Sequence, residues 1–183
     1  NRYQLDDDRP YLWKTADCGK SWTRIDAGIA PDEFTRVVRE DPAKRGLLVA
    51  GTERGVWFSS DDGAHWKSLR RNLPFVPVHD LTFKQGDLIV ATHGRGFYIM
   101  DDITTLGQMT DAVKASAAHL FKPRDQYRLA SSGGFGGGRG GRGGAVTPEN
   151  APIHPTGQNP PQGVVIQYWL GTGDQPVELD FLD

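Results

Sequence analysis

Hydrophobic positions along the chain fall in short runs rather than in a helical stripe. FTRVVR (34–39), LLVAG (47–51), VWFS (56–59) and WKSL (66–69) are separated by turn formers at Asp41-Pro42, Gly46 and Asp62-Gly63. Short runs rich in β-branched and aromatic residues, punctuated by Gly, Pro and Asp, predict four strands joined by tight turns. The order returns at 79–83, 88–92 and 97–100, with Gly86-Asp87 between the first two. Ahead of these, 11–15 and 22–25 predict two strands of a partial unit, the third and fourth of the series.

The recurrence is one of sequence as well as pattern. LLVAGTERGVWFSSD (47–61) and LIVATHGRGFYIMDD (88–102) match at a displacement of 41 residues. Leu47/Leu88, Val49/Val90, Ala50/Ala91, Arg54/Arg95, Gly55/Gly96 and Asp61/Asp102 are identical pairs, and apolar pairs such as Val56/Phe97 and Trp57/Tyr98 lie between them. A period just above 40 with several short strands per unit predicts β-propeller blades. The expected fold class is all-β, with an incomplete propeller over residues 1–103.

A second self-match is sharper. TADCGKSW (15–22) and SSDDGAHW (59–66) share Ser/Thr-x-Asp-x-Gly-x-x-Trp and start 44 residues apart. The pattern falls in the turn between the third and fourth strands. Asp17 and Asp61 suit backbone amides in a tight turn, Gly19 and Gly63 supply a positive φ, and Trp22 and Trp66 carry area to pack between units. The third copy keeps its strands but loses the pattern, since Thr104 and Gly107 replace the glycine and tryptophan. That places the end of the array near residue 103.

This motif resembles the Asp box of bacterial neuraminidase (BNR) repeats, found in sortilin-like and glycosyl-hydrolase-like secreted β-propeller proteins. The resemblance implies that Thr15, Asp17, Gly19, Trp22, Ser59, Asp61, Gly63 and Trp66 are structural and lie away from any catalytic centre. It also implies a parent protein exported to the periplasm or outside a bacterial cell. Propellers close at about four to eight blades, and two and a half are visible here. The expectation is a piece of a longer polypeptide whose remaining blades complete the ring.

Beyond the repeats the pattern changes. Leu106, Met109, Val113 and Ala117 form one helical stripe within 104–118, with a break expected at Thr110. HLFKPRDQYRL (119–129) predicts a strand interrupted at Pro123, so 104–130 reads as a helix-and-strand closing segment. SSGGFGGGRGGRGG (131–144) cannot supply a core and opens a Gly/Pro-rich linker over 131–162. GVVIQYWL (163–170) and VELDFL (177–182) predict the opening hairpin of a second, β-sandwich-like domain over 163–183. The ordering of these segments resembles secreted BNR-repeat proteins in which an immunoglobulin-like domain follows the propeller.

Composition narrows the functions. The formal charge of −2 argues against nucleic acid or an anionic membrane as partner, and no apolar run approaches a membrane span. Cys18 is the single cysteine, which excludes an internal disulfide and a cysteine metal cluster. His65, His79, His93, His119 and His154 show no metal-ligand spacing, and Asp6-Asp7-Asp8 lacks the spacing of a calcium loop. Phe135, Arg139 and Arg142 are too few to make the glycine tract an RNA-binding element. No cofactor or metal is expected.

Alternating strand direction puts the turns between second and third strands on one face, opposite the boxes. Those turns carry Glu53-Arg54 and His93-Gly94-Arg95. Arginines on a ring of such turns suit a carboxylate or sugar, so Glu53, Arg54, His93 and Arg95 are the candidate ligand residues. Against this stands a scaffold role, in ion pairs or carbonyl caps. The expected function is a non-catalytic scaffold that binds a glycan, peptide or protein. The alternative is a sialidase-like or other glycoside hydrolase with most of its active centre in the missing blades. Such chemistry needs two positioned carboxyl groups or a Tyr–acid pair. Glu53, Asp101, Asp102 and Tyr98 are present, but no pairing among them follows from the sequence.

Overall fold

The structure is a computed structural model that describes residues 2–126, 163–173 and 176–180. The chain divides into two units, Asn1–Arg124 with Ile166–Asp183, and Asp125–Val165. The whole Gly/Pro-rich linker over 131–162, the glycine tract included, lies outside the described residues.

The first unit is built from several antiparallel sheets with few helices. A hairpin of β1 (Trp13–Lys14) and β2 (Thr23–Arg24) comes first. A four-stranded sheet follows, with β3 (Thr35–Glu40), β4 (Leu48–Thr52), β5 (Val56–Ser59) and β6 (Lys67–Ser68) in sequential order. A three-stranded sheet comes next, from β7 (Val78–Lys84), β8 (Asp87–Thr92) and β9 (Phe97–Met100). Every strand expected from the short apolar runs up to Met100 is present. The fourth-strand positions are shorter than expected, at two residues each.

The two sheets share a hydrogen-bonding plan in detail. In the first, Thr35 faces Thr52 and Val37 faces Gly51, so Arg36 is an extra residue on β3. In the second, Val78 faces Thr92 and Asp80 faces Ala91, so His79 is the extra residue on β7. Both are β-bulges at the same place in the ladder, where a bulge bends the strand and re-aims a side chain.

Register also corrects the sequence alignment. Thr52 corresponds to Thr92 and Leu48 to Leu88, a displacement of 40 rather than 41 through β4 and β8. One additional residue in the second turn restores 41 at Val56 and Phe97. The identical pairs Leu47/Leu88, Val49/Val90 and Ala50/Ala91 are therefore one residue out of structural register. A one-residue slip in a strand reverses the face. Val49 and Val90 accordingly face one another across a shared core instead of occupying equivalent places.

That shared core lies between the two sheets. Val49, Val56, Leu73, Val76, Val78, Leu81, Leu88, Val90 and Ile103 are buried together, with Phe58, Tyr98, Met100 and Leu106 against them. A smaller core joins the first hairpin to the other face of the four-stranded sheet, through Leu12, Ile29, Leu48, Ala50 and Trp66. Alternate residues of β4 thus serve different cores, and the whole strand is buried.

After β9 the chain forms α1 (Thr104–Gln108) and α2 (Asp111–Ala115). The break falls where expected, because Thr110 leaves helical geometry and its side chain caps the Val113 amide. Leu106 and Val113 face the interior, whereas Ala117 lies past the second helix and outside its stripe. Of the strand expected over 119–129, residues 127–129 lie outside the described residues, and those to 126 show β10 (Ala118–Leu120), three residues long. Its partner is β11 (Tyr168–Leu170), which pairs His119 with Trp169. This corrects the hairpin expected within 163–183: residues 177–180 form no strand, and β11 pairs backward with β10.

Candidate functional site

The boxes are two copies of one local structure. In the first, the Gly19 amide donates to Thr15 Oγ1 at 2.8 Å, and the Thr15 hydroxyl donates to Asp17 Oδ1 at 2.8 Å. Asp17 also accepts the Ser21 amide at 2.9 Å and the Ser21 hydroxyl at 2.7 Å. In the second, Gly63 donates to Ser59 Oγ at 2.9 Å and Ser59 to Asp61 at 2.7 Å. Asp61 accepts the His65 amide at 2.9 Å and lies 2.8 Å from His65 Nδ1. Gly19 and Gly63 have φ of 89° and 90°, values that side-chain-bearing residues resist.

Both carboxylates are held down to about 2. For Asp17 the Ser21 amide is the main cause, followed by the Ser21 and Thr15 hydroxyls. For Asp61 the burial of the charge acts upward, and hydrogen bonds from Ser59 and His65 outweigh it. A carboxylate saturated by donors and ionised at neutral pH has no proton to give as a general acid. Asp7, within the acidic triplet, is likewise committed: Arg9 first and then Tyr11 hold it far below the ordinary carboxylate range.

The turns opposite the boxes also repeat. Thr52 closes the first by bonding Gly55 O, and Thr92 closes the second by bonding Gly96 O. The amides of Glu53 and His93 donate to Phe34 O and Pro77 O, the residues just before β3 and β7. Glu53 and His93 are therefore equivalent. Each meets the bulged residue of its own sheet: Arg36 is ion-paired with Glu53, and His79 stacks on His93 with ring centroids 5.1 Å apart.

Arg54 pairs with Asp32, so the first turn is internally neutralised. No ion pair of Arg95 is present among the described residues, and His93 and Arg95 are exposed. No hydrogen bond or ion pair among the described residues joins the two turns. Glu33 lies beneath the first turn, buried, with its carboxylate accepting from Thr52 Oγ1 at 2.7 Å and Trp57 Nε1 at 2.9 Å. Asp32, Glu33 and Arg36 were not legible as partners, because each reaches Glu53, Arg54 or Thr52 from a different part of the chain.

Three of the other groups that a hydrolase could use have partners elsewhere. Glu53 is spent on Arg36, Asp102 accepts the Thr104 hydroxyl, and Tyr98 packs against the main core. Among the described residues, no group of three or more His, Cys, Asp or Glu is placed to hold a metal ion, and no helix is long and apolar enough to cross a membrane.

Openings are shallow. The cleft beside the first turn, lined by Glu33, Arg54, Trp57, Arg70 and Phe75, holds about 90 Å³. Ligand pockets usually span roughly 300–1,000 Å³, so a ligand at this turn would lie across the surface. A roomier cleft, about 400 Å³, is on the box side between Lys14, Arg24, Ile25 and Asp62. No family model, curated protein or solved structure matches this chain.

Proposed function

We propose that this chain supplies blades of an Asp-box β-propeller of the BNR-repeat, sortilin-like and glycosyl-hydrolase-like group, exported to the periplasm or outside the cell. Its role is that of a non-catalytic scaffold that binds a glycan, peptide or protein across the turns bearing Glu53, Arg54, His93 and Arg95. The observation that supports the reading is the repeated sheet plan: the same bulge and closing threonine recur in both sheets, and the box of the four-stranded sheet lies at the end opposite its threonine-closed turn. A scaffold that repeats its backbone while varying the turn side chains presents a graded surface on one face.

Within that surface Arg95 is the cation with no ion pair among the described residues, whereas Arg54 is already neutralised by Asp32. A guanidinium–carboxylate hydrogen bond is worth about 1.5–3 kcal/mol, roughly 10- to 100-fold in affinity. Screening the chain against sialylated and uronic-acid glycans and acidic peptides should give binding that Arg95→Ala weakens about tenfold or more. Arg54→Ala should weaken it less. Binding lost in Lys14→Glu but kept in both arginine variants would move the ligand to the box side. Turnover of aryl glycosides abolished by a carboxylate substitution would replace the scaffold with a hydrolase.

A further inference from the structure

The two turns opposite the boxes share a backbone plan but differ in charge. Phe34 O and Pro77 O accept the equivalent amides of Glu53 and His93, so the segments leading into β3 and β7 align, Pro31 with Pro74 among them. Gly28 and Arg71, equivalent in the same alignment, both have positive φ. Asp32 then corresponds to Phe75, Glu33 to Val76 and Glu53 to His93. Burial agrees, since Glu33 and Val76 are buried while Asp32 and Phe75 are exposed. Each of these three carboxylates of the first turn is replaced at the second, whereas the arginine is kept as Arg95.

What remains at the second turn is basic. His79 takes the place of Arg36 and stacks on His93, with the ring planes 22° from parallel. Neither imidazole, nor Arg95, has a side-chain hydrogen bond or ion pair among the described residues. The charged groups on the elements around them are committed or distant. Arg36 pairs with Glu53, Arg39 of β3 with Asp80 beside His79, and Asp87 at the far end of β8 with Arg124. β4 brings no charged side chain, and Glu40 and Lys84 end β3 and β7 on the far side. Arg70, in the segment before β7, sits over the Phe75 ring at 3.7 Å and adds positive charge. Exposure is a property of this rim: Arg54, on a sheet packed on both faces, is still 47% exposed.

Building on the reading of this face as a ligand surface, we propose that the second turn is a site for an acidic peptide segment. His79, His93 and Arg95 meet its carboxylates, and acid strengthens the binding. Imidazole is the side chain that gains its proton between about pH 8 and 5. Two stacked imidazolium rings repel each other, and a carboxylate laid across them relieves that repulsion. Ligand and protons therefore favour one another's binding, by the reciprocity of linked equilibria. Three such groups on one turn and one bulge call for closely spaced carboxylates. Successive Asp or Glu residues supply them at about 3.3 Å per residue of extended chain. A glycan with one carboxylate per sugar supplies them more sparsely.

A labelled hexa-aspartate peptide keeps its charge from about pH 8 to 5.5, because aspartate ordinarily titrates near 3.9. Its fluorescence anisotropy with the 183-residue chain should show binding about tenfold tighter at the lower pH. His79→Gln combined with His93→Gln should hold binding at its weaker, high-pH level throughout. Arg95→Ala should weaken it at both ends of the range. Phe75→Asp copies the first turn at a side chain that is 71% exposed, and should weaken binding about tenfold. Arg54→Ala should change it little, because Asp32 already neutralises that side chain. Circular dichroism at both pH values checks that each variant is folded. Binding that depends on Arg95 but not on pH or the histidines overturns the site and leaves the ligand surface standing. Binding indifferent to Arg95, His79 and His93 alike overturns both. Absence of peptide binding at the lower pH overturns the site, and a uronic-acid glycan bound instead through Arg95 would make the face a glycan surface.

Discussion

Gly51 and Ala91 hold the same ladder position in two sheets of the same plan, yet they answer to different surroundings. At Gly51 the neighbouring strand approaches so closely that no Cβ fits, with Val78 and Val37 side chains inside 3 Å of it. At Ala91 the same face is open and a methyl group is accommodated. The pair of boxes tells the same story. Their hydrogen bonds are nearly superposable, but one tryptophan is core and the other is surface. Local structure is copied along the chain, and the energetic weight of each copy is set by what stands next to it.

The sharpest test is the tryptophan pair. Trp66→Ala removes a buried aromatic whose Nε1 also donates to Ile25 O, and about 3–5 kcal/mol of stability should go with it. Trp22→Ala should cost under about 1 kcal/mol in the same denaturant titration. Equal losses would break the comparison, since they would mean that Trp22 is packed as Trp66 is.

Gly51→Ala should cost about 1–3 kcal/mol by overpacking against Val78, while Ala91→Val should stay within about 0.5 kcal/mol. The box glycines sharpen the point. Both Gly→Ala changes carry the positive-φ strain of about 1–2 kcal/mol. Gly63→Ala adds a contact 2.7 Å from Ile25 Cδ1, whereas the nearest atom at Gly19 is 3.8 Å away. Gly63→Ala should therefore lower the melting temperature more than Gly19→Ala.

Acid should affect the two boxes alike, because the carboxylate bonds are local. Asp17 and Asp61 are depressed from 3.8 to about 2, so the folded chain binds fewer protons than the unfolded chain in that window. Their stabilisation is complete above about pH 4 and is lost as pH falls toward 2. Asp17→Asn and Asp61→Asn should each lower stability at neutral pH and flatten its decline between pH 4 and 2, read from thermal melts. An unchanged slope would mean that neither carboxylate is bonded in solution. The smallest effect belongs to the exposed pair Arg39–Asp80, which links β3 to β7. Asp80→Asn should cost at most about 1 kcal/mol and become neutral in high salt.

Strand positions, the boxes and the helix break at Thr110 were readable because each rests on neighbouring residues: alternation, a turn closed by its own Asp and Gly, a threonine cap. The ladder offset was not. Matching Leu47 to Leu88 maximises identity, but hydrogen bonding pairs Leu48 with Leu88 positions, and only the bulges at Arg36 and His79 and the longer second turn reveal the slip. The candidate ligand residues were found on the right turns, yet the neutralisation of Arg54 by Asp32 and of Glu53 by Arg36 depends on contacts across 22 and 17 residues.

What the sequence by itself determined is therefore everything closed within one hairpin: the strands, the glycine-dependent turns, and the low proton affinity of Asp17 and Asp61. Tertiary structure alone decided which alternate face of β4 meets which core, why β11 joins β10, and why Trp66 is buried while Trp22 is bare. The physical reason is range. Turn geometry and capping act over a few bonds, whereas burial depends on which sheet arrives next, and no local pattern encodes its arrival.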